Sequence, residues 1–241
     1  MRRVWAILIA SIFLYFLIGE LLPIVPDFGN FDMFTRVSFD YISKSTKSGY
    51  SPVEFKKSAN LEEGSANVVT SIVVNYRSFD TLGEVTVLFT AALGVGILSS
   101  FLRRKNKLEF EDHFVLKVST GIVFPLILLF GAYIFIHGHL TPGGGFPGGT
   151  VIALGVLLLM LADNEFKVTG VAKHIEQSAG AGYVIVGLLG MAFGGVFLMN
   201  FLPTGVVGNL FSAGVVPIVY VIIGFKVGAE LSSIVSEMKE G

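Results

Sequence analysis

Lys226 and Glu230 stand four residues apart in an otherwise apolar run. On a helix that spacing puts both side chains on one face, within reach of an ion pair. Ionisable groups inside a run of membrane length are costly, so each needs a reason. Near the end of a span, a lysine stem can snorkel to water. Otherwise the pair belongs to a polar pathway for an ion or a proton. The run places both residues toward the end of its span, and either reading fits. Lys117, at the start of another run, reads as a snorkelling lysine, and Glu20 as an interfacial group. Thr81-x-x-Glu84 has the spacing of a capping box, in which the Thr81 hydroxyl accepts from the Glu84 amide and the Glu84 carboxylate reaches back. The alternative, for Glu84 with its neighbour Asp80, is a carboxylate at the membrane edge that collects a cation or a proton.

The segment His137–Gly149 reads HGHLTPGGGFPGG. Gly143, Gly145 and Gly148 satisfy G-x-G-x-x-G, but a dinucleotide site needs a strand before it and a soluble helix after it, and here apolar runs flank it. His137 and His139 could ligate a metal but lack further ligands at a clear spacing. The remaining chemistry is structural. His139, Pro142, Gly143, Gly144, Gly145, Phe146, Gly148 and Gly149 allow tight irregular backbone and close helix approach, which membranes tolerate where backbone is buried in protein or lines water. Glycines recur at 182, 187, 190, 194 and 195, again suiting close packing.

The elements that must hold these residues follow from composition. Of 241 residues, 53% are hydrophobic, 29 more are glycine, and only 15% are charged, against roughly 25% in soluble domains. An all-α polytopic membrane protein is expected. A bilayer core needs about 20 helical residues per span, and six runs qualify: Val4–Leu22, about Leu82–Leu102, Val115–Ile136, about Gly148–Ala162, about Ala179–Phe201 and about Gly208–Ile234. Arg2 and Arg3, then Arg103, Arg104, Lys105 and Lys107, then Lys167 and Lys173 fall on alternate flanks, which predicts both termini in the cytoplasm. The first run is long for a signal peptide and no small-residue cleavage site closes it, so it reads as a retained helix. The intervening Pro23–Asp80 would lie outside. Within it, Val68, Val69, Ile72, Val73, Tyr76 and Phe79 recur at helical spacing. They predict an amphipathic helix on the membrane surface, against a partner subunit, or packed on the chain's own helix ends. No cysteine is present, which excludes disulfides and thiolate clusters in this chain, and the net charge of −1 gives no reason to expect nucleic acid.

Two motifs resemble a known family. Gly138-His139-Leu-Thr-Pro142-Gly143-Gly144-Gly145-Phe146-Pro-Gly148-Gly149, with Gly224-Phe-Lys226-Val-Gly228-Ala-Glu230, is similar to the B subunit of Mrp-type sodium/proton antiporters, the MnhB domain. Upstream, Asn67-Val68-Val69 and Tyr76-Arg77-Ser78-Phe79-Asp80-Thr81-Leu-Gly83-Glu84 resemble the C-terminal tail of the Mrp A subunit, although Tyr76 and Ser78 depart from its pattern. The resemblance implies two joined modules, 1–107 from the A-subunit tail and 108–241 from MnhB. It implies a non-catalytic cell-membrane subunit without cofactors of its own, in an antiporter or in an archaeal membrane-bound hydrogenase or sulfane reductase complex. Its partners would be the other membrane subunits and the bilayer, with Na+ and H+ as cargo. Asp80, Glu84, Lys226 and Glu230 are then the residues expected along a cation path at subunit interfaces. A scaffold subunit of the same complex is the rival. A self-contained transporter would favour tandem repeats, which the chain lacks. A membrane enzyme would need a catalytic cluster, and only scattered histidines are available.

The charge alternation makes a direct forecast. In a chain without native cysteine, Gly241→Cys is expected to be shielded from an impermeant thiol reagent in intact cells, whereas Ser48→Cys reacts. The reverse labelling pattern inverts the topology.

Overall fold

The computed structural model describes residues 53–101, 114–166, 168 and 170–240, together with positions 8, 11, 12, 14–16, 18 and 19, all eight helical. The rest of the first predicted span, Glu20, the segment 20–52 and the basic stretch 103–107 lie outside the described residues, as do Lys167 and the side chain of Lys173. The elements from residue 53 onward are α1 (Val68–Thr70), a π-helical turn (Ser71–Tyr76), α2 (Ser78–Phe101), α3 (Phe114–Ile136), α4 (Gly145–Ala162), α5 (Gly170–Gly194) and α6 (Val216–Glu240). The last five are long and apolar enough to cross a bilayer, and no strand forms among the described residues. The protein is an all-α, multi-pass membrane chain.

α6 is the hub. It packs against α2, α3, α4 and α5, and α4 also packs against α3. Half of the apolar window of α6 is buried, 50%, against 11% for α2, so α6 is central and α2 peripheral. The contact between α3, α4 and α6 is backbone on backbone. A Cβ on Gly148 would come 2.7 Å from the Gly131 carbonyl oxygen, and one on Gly149 would come 2.7 Å from that of Gly224. Gly144, which leads into α4, has φ +139°, a conformation open to glycine and strained for other residues.

Two expectations fail here. The apolar run Val196–Phe201 does not extend the fifth span. α5 ends at Gly194, and residues 195–215 form an irregular connection with positive φ at Gly195, Leu198, Gly205, Gly208, Ala213 and Gly214. This connection folds back onto α5: the Leu198 amide donates to the Gly187 carbonyl at 3.2 Å, and a Cβ on Gly190 would meet the Met199 oxygen at 2.7 Å. The α5 glycines Gly187, Gly190 and Gly194 thus seat a loop rather than a neighbouring helix, and α6 starts at Val216 instead of 208.

The second failure is the amphipathic helix over 67–79. Only Val68–Thr70 is α-helical. Ser71–Tyr76 is π-helical and ends at Arg77, whose amide bonds back to the Ile72 carbonyl at 2.8 Å. The changed period breaks up the expected face: Val68, Ile72 and Val73 stay half-buried. Thr70 and Ser71 are buried while Val69, Tyr76 and Phe79 are exposed. Of the three placements, packing onto the chain's own helix ends is the one the described contacts support. Asn67 Nδ2 donates to the carbonyls of Gly138 and Thr141, and Thr70 Oγ1 donates to Gly138.

The backbone contact is sensitive to a single methyl group. Gly149→Ala is expected to cost about 1–3 kcal/mol of stability, the range for overpacking, because the obstructing atoms are backbone. Gly83→Ala, with nothing within 4 Å, is the control. Thermal melting of the purified membrane complex separates them, and equal melting of the two variants would contradict the packing.

Candidate functional site

α6 carries Lys226 about 15 Å from its first residue, near the middle of a 25-residue helix. The sequence placed this pair near the end of its span, where the lysine could snorkel; α6 runs from Val216 to Glu240, which puts the pair near the middle of the helix. Lys226 Nζ lies 3.0 Å from Glu230 Oε2 and 3.5 Å from Glu176 Oε1 of α5, with side chains 7%, 0% and 16% exposed respectively. The ammonium also sits 4.9 Å from the centre of the Phe89 ring on α2, a cation–π distance. Gly180 leaves room for its stem. Three helices therefore converge on one buried cation and two carboxylates, a formal charge of −1 when all are ionised.

A cleft of about 570 Å³ opens beside this triad, lined among others by Phe89, Gly96, Ser100, Glu176, Ser233 and Glu237. Its walls are α2 and α5, both packed on α6. They are held together by the Tyr183 hydroxyl, which donates to the Ser78 carbonyl at 3.0 Å. Past the triad, toward Ser78, an apolar cluster that includes Val85, Tyr183, Val219 and Ile223 fills the space. Of the triad, Glu176 lines the cleft, while Lys226 and Glu230 are buried beside it, and the apolar cluster closes the space beyond.

The other sequence-selected residues do not join this cluster. Asp80 pairs with Arg77 on the surface. Thr81 lies inside α2 with its hydroxyl donating to the Val73 carbonyl at 2.5 Å, so the expected capping box does not form. Glu84 is exposed. Lys117 pairs with Asp163 at 3.3 Å.

At the glycine-rich end, the Tyr220 hydroxyl donates to Thr70 Oγ1 at 2.8 Å, and a Cβ on Gly138 would meet the Tyr220 ring at 2.6 Å. His139 is fully buried. Burial pushes its pKa down, opposed by the Asn209 and Leu210 backbone, and its neighbour His137 is half-buried and stacked on Tyr133. No group of three metal-ligating side chains occurs among the described residues. Glu176, Glu63 and Glu237 escaped the sequence reading. Glu176 lies before the predicted start of its helix, and no spacing signal ties any of the three to its spatial neighbours.

Comparison with known proteins places this architecture. A family model described as a domain related to the MnhB subunit of Na+/H+ antiporters matches residues 115–233, and MbhE, the family model of the E subunit of MBH, matches residues 27–109. The B subunit of a Na+/H+ antiporter of Bacillus subtilis is 38% identical over 90 residues, 36% of this chain and 63% of that one. A chain in the structure of the membrane-bound sulfane sulfur reductase, an archaeal respiratory membrane complex, superposes with a TM-score of 0.78 at 39% identity, covering 100% of this chain and 99% of that one. The chain belongs to the MnhB-related family. This MnhB-related protein is also 28% identical over 202 residues to an uncharacterized protein of Methanocaldococcus jannaschii, covering 69% of this chain and 74% of that one. Lys226, Glu230, Glu176 and the glycine loop fall within the MnhB match; Glu63, Asp80 and Glu84 fall within the MbhE match.

The buried triad makes a stability forecast for the MnhB-related chain. Lys226→Met leaves Glu230 buried without its cation, a loss of about 3–5 kcal/mol. Lys226→Met combined with Glu230→Gln is expected to recover most of it. Thermal melting of the assembled complex checks both; a double variant as unstable as the single one would show that the pairing is not what holds these side chains.

Proposed function

We propose that this protein forms part of a cation pathway in an Mrp-type Na+/H+ antiporter module, with Lys226, Glu230 and Glu176 as its charged centre and Glu176 as the member that faces the α2–α5–α6 cleft. One observation carries the reading: a net negative cluster lies buried at mid-span with a cleft leading to it. An ion crossing lipid must exchange hydration for such groups, and intramembrane charges mark ion and proton routes. With the termini in the cytoplasm, as the basic flanks suggest, α6 ends inside and the cleft opens to the cytoplasm. Glu84 and Asp80 would then lie toward the outer face.

The chain is taken to be non-catalytic and without its own cofactor, and to join two modules that meet near residue 108. Likeness over its full length to a chain of an archaeal respiratory complex favours a redox-driven assembly of the sulfane reductase or hydrogenase type. The scaffold reading draws on the close-packed glycines.

Glu230→Gln keeps the shape and removes one charge. In assembled complexes reconstituted in vesicles, it is expected to lower Na+-dependent proton exchange at least about tenfold, equivalent to about 1.4 kcal/mol on the barrier. Normal exchange in a fully assembled Glu230→Gln complex would leave the scaffold reading. Loss of assembly in place of exchange would point the same way.

A further inference from the structure

The end of the molecule away from the cleft holds a carboxyl group that the pathway above does not use. Glu63 is only 4% exposed. Its Oε1 accepts from Asn75 Nδ2 on the π-helical turn, and Ser71 of the same turn also hydrogen-bonds to it. No lysine or arginine pairs with it among the described residues, and the one charged group acting on it is Glu62, which is acidic. The next residue, Gly64, is wedged so that a Cβ would come 2.4 Å from the Thr204 oxygen and 2.7 Å from the Ala213 amide nitrogen. The segment therefore cannot simply swing out to carry the carboxyl to water.

A buried carboxyl with neutral donors and an acidic neighbour favours its neutral form. Burial raises the pKa of Glu63 to about 7, against the donors Asn75 and Ser71, while Glu62 adds to the rise. The neutral acid is favoured inside the fold, and the fold loses stability as pH rises from the ordinary carboxyl value of 4.5 to about 7.

The surroundings give the proton somewhere to go. Asn75 lines a cavity of about 420 Å³ together with Asn60, Leu61, Glu62, Asn200 and Thr204. Asn75 and Asn200 also line a small void with Ser78 and Tyr183, the pair that joins the start of α2 to the middle of α5. Asn75 thus stands between the Glu63 carboxyl, a cavity roomy enough for water and the junction of two membrane helices. π-helical turns within helices occur often at functional sites, and here the turn presents both donors to one carboxyl.

We infer that Glu63 is a proton-binding site, gripped by Asn75 and Ser71 of the π-helical turn and exchanging with water through the cavity that Asn75 lines. On release the carboxyl O–H bond breaks, the proton passes to water in the cavity, and the carboxylate keeps the electron pair. The charged form strengthens its grip on the two donors, so the protonation state is coupled to the turn that starts α2. This goes beyond the proposed pathway and does not depend on the α6 triad.

The test uses the assembled complex in lipid and infrared difference spectra between acidic and alkaline buffer. Wild type is expected to lose a neutral-carboxyl band with a midpoint near pH 7, and Glu63→Gln, which keeps an acceptor for Asn75, is expected to lack that component. Removing a donor destabilises the charged form, so Asn75→Ala and Ser71→Ala should each move the midpoint upward. A spectrum unchanged by Glu63→Gln overturns the site. A midpoint unmoved in both donor variants overturns its coupling to the turn. Because the readout is the carboxyl itself, failure of the α6 triad to affect exchange leaves this result standing.

Discussion

Three helices of this protein meet through their backbones. Gly148 faces Gly131, and Gly149 faces Gly224 and Gly228, at separations that leave no room for a methyl group. In lipid, apolar side chains gain little by leaving one hydrocarbon surface for another, so association relies on close van der Waals contact. Small residues make that contact short. Once α3, α4 and α6 are joined in this way, α6 has two flanks left, and α2 and α5 take them. The two flanking helices are tied where Tyr183 meets Ser78, and a cleft lined in part by Glu176 and Glu237 remains between them.

That arrangement explains how a charge cluster survives at mid-span. A lone lysine there would be costly or neutral, and a lone glutamate likewise. Lys226 is instead shared between Glu230 on its own helix and Glu176 on α5, with Phe89 beneath it. Of the three charged groups, Glu176 is the one that lines the cleft. At the far end of α4 a second lysine does simpler work: Lys239 donates to the carbonyls of Met160, Asp163 and Asn164, meeting the open C-terminus of that helix.

Much of this was legible in the residues, for identifiable reasons. α2, α3 and α4 begin and end within a few residues of the hydropathy runs, because charged or polar residues bound each one. The boundary between α5 and α6 was not legible. Val196–Phe201 is as apolar as a span whether it faces lipid or folds back onto Gly187 and Gly190, and hydropathy measures only the first possibility. The π-helical turn was misread because a 3.6-residue period was imposed on a segment bonded from each residue to the fifth before it. The i,i+4 spacing of Lys226 and Glu230 was legible because it is local. Glu176, fifty positions away in sequence, enters the same cluster through the packing of two helices, and no local pattern records that.

The two portions of the chain that match different family models are held together by contacts that do not need the peptide link between them. Asn67 and Thr70 grip the Gly138 carbonyl, Tyr220 reaches back to Thr70, Thr204 bonds the Leu61 carbonyl, and Tyr183 bonds that of Ser78. These are interface contacts in every physical respect. What a covalent connection adds is effective concentration, which raises the chance of meeting without adding a single contact. In such a molecule the peptide link sets how often the two portions meet, and the side chains set how firmly they hold.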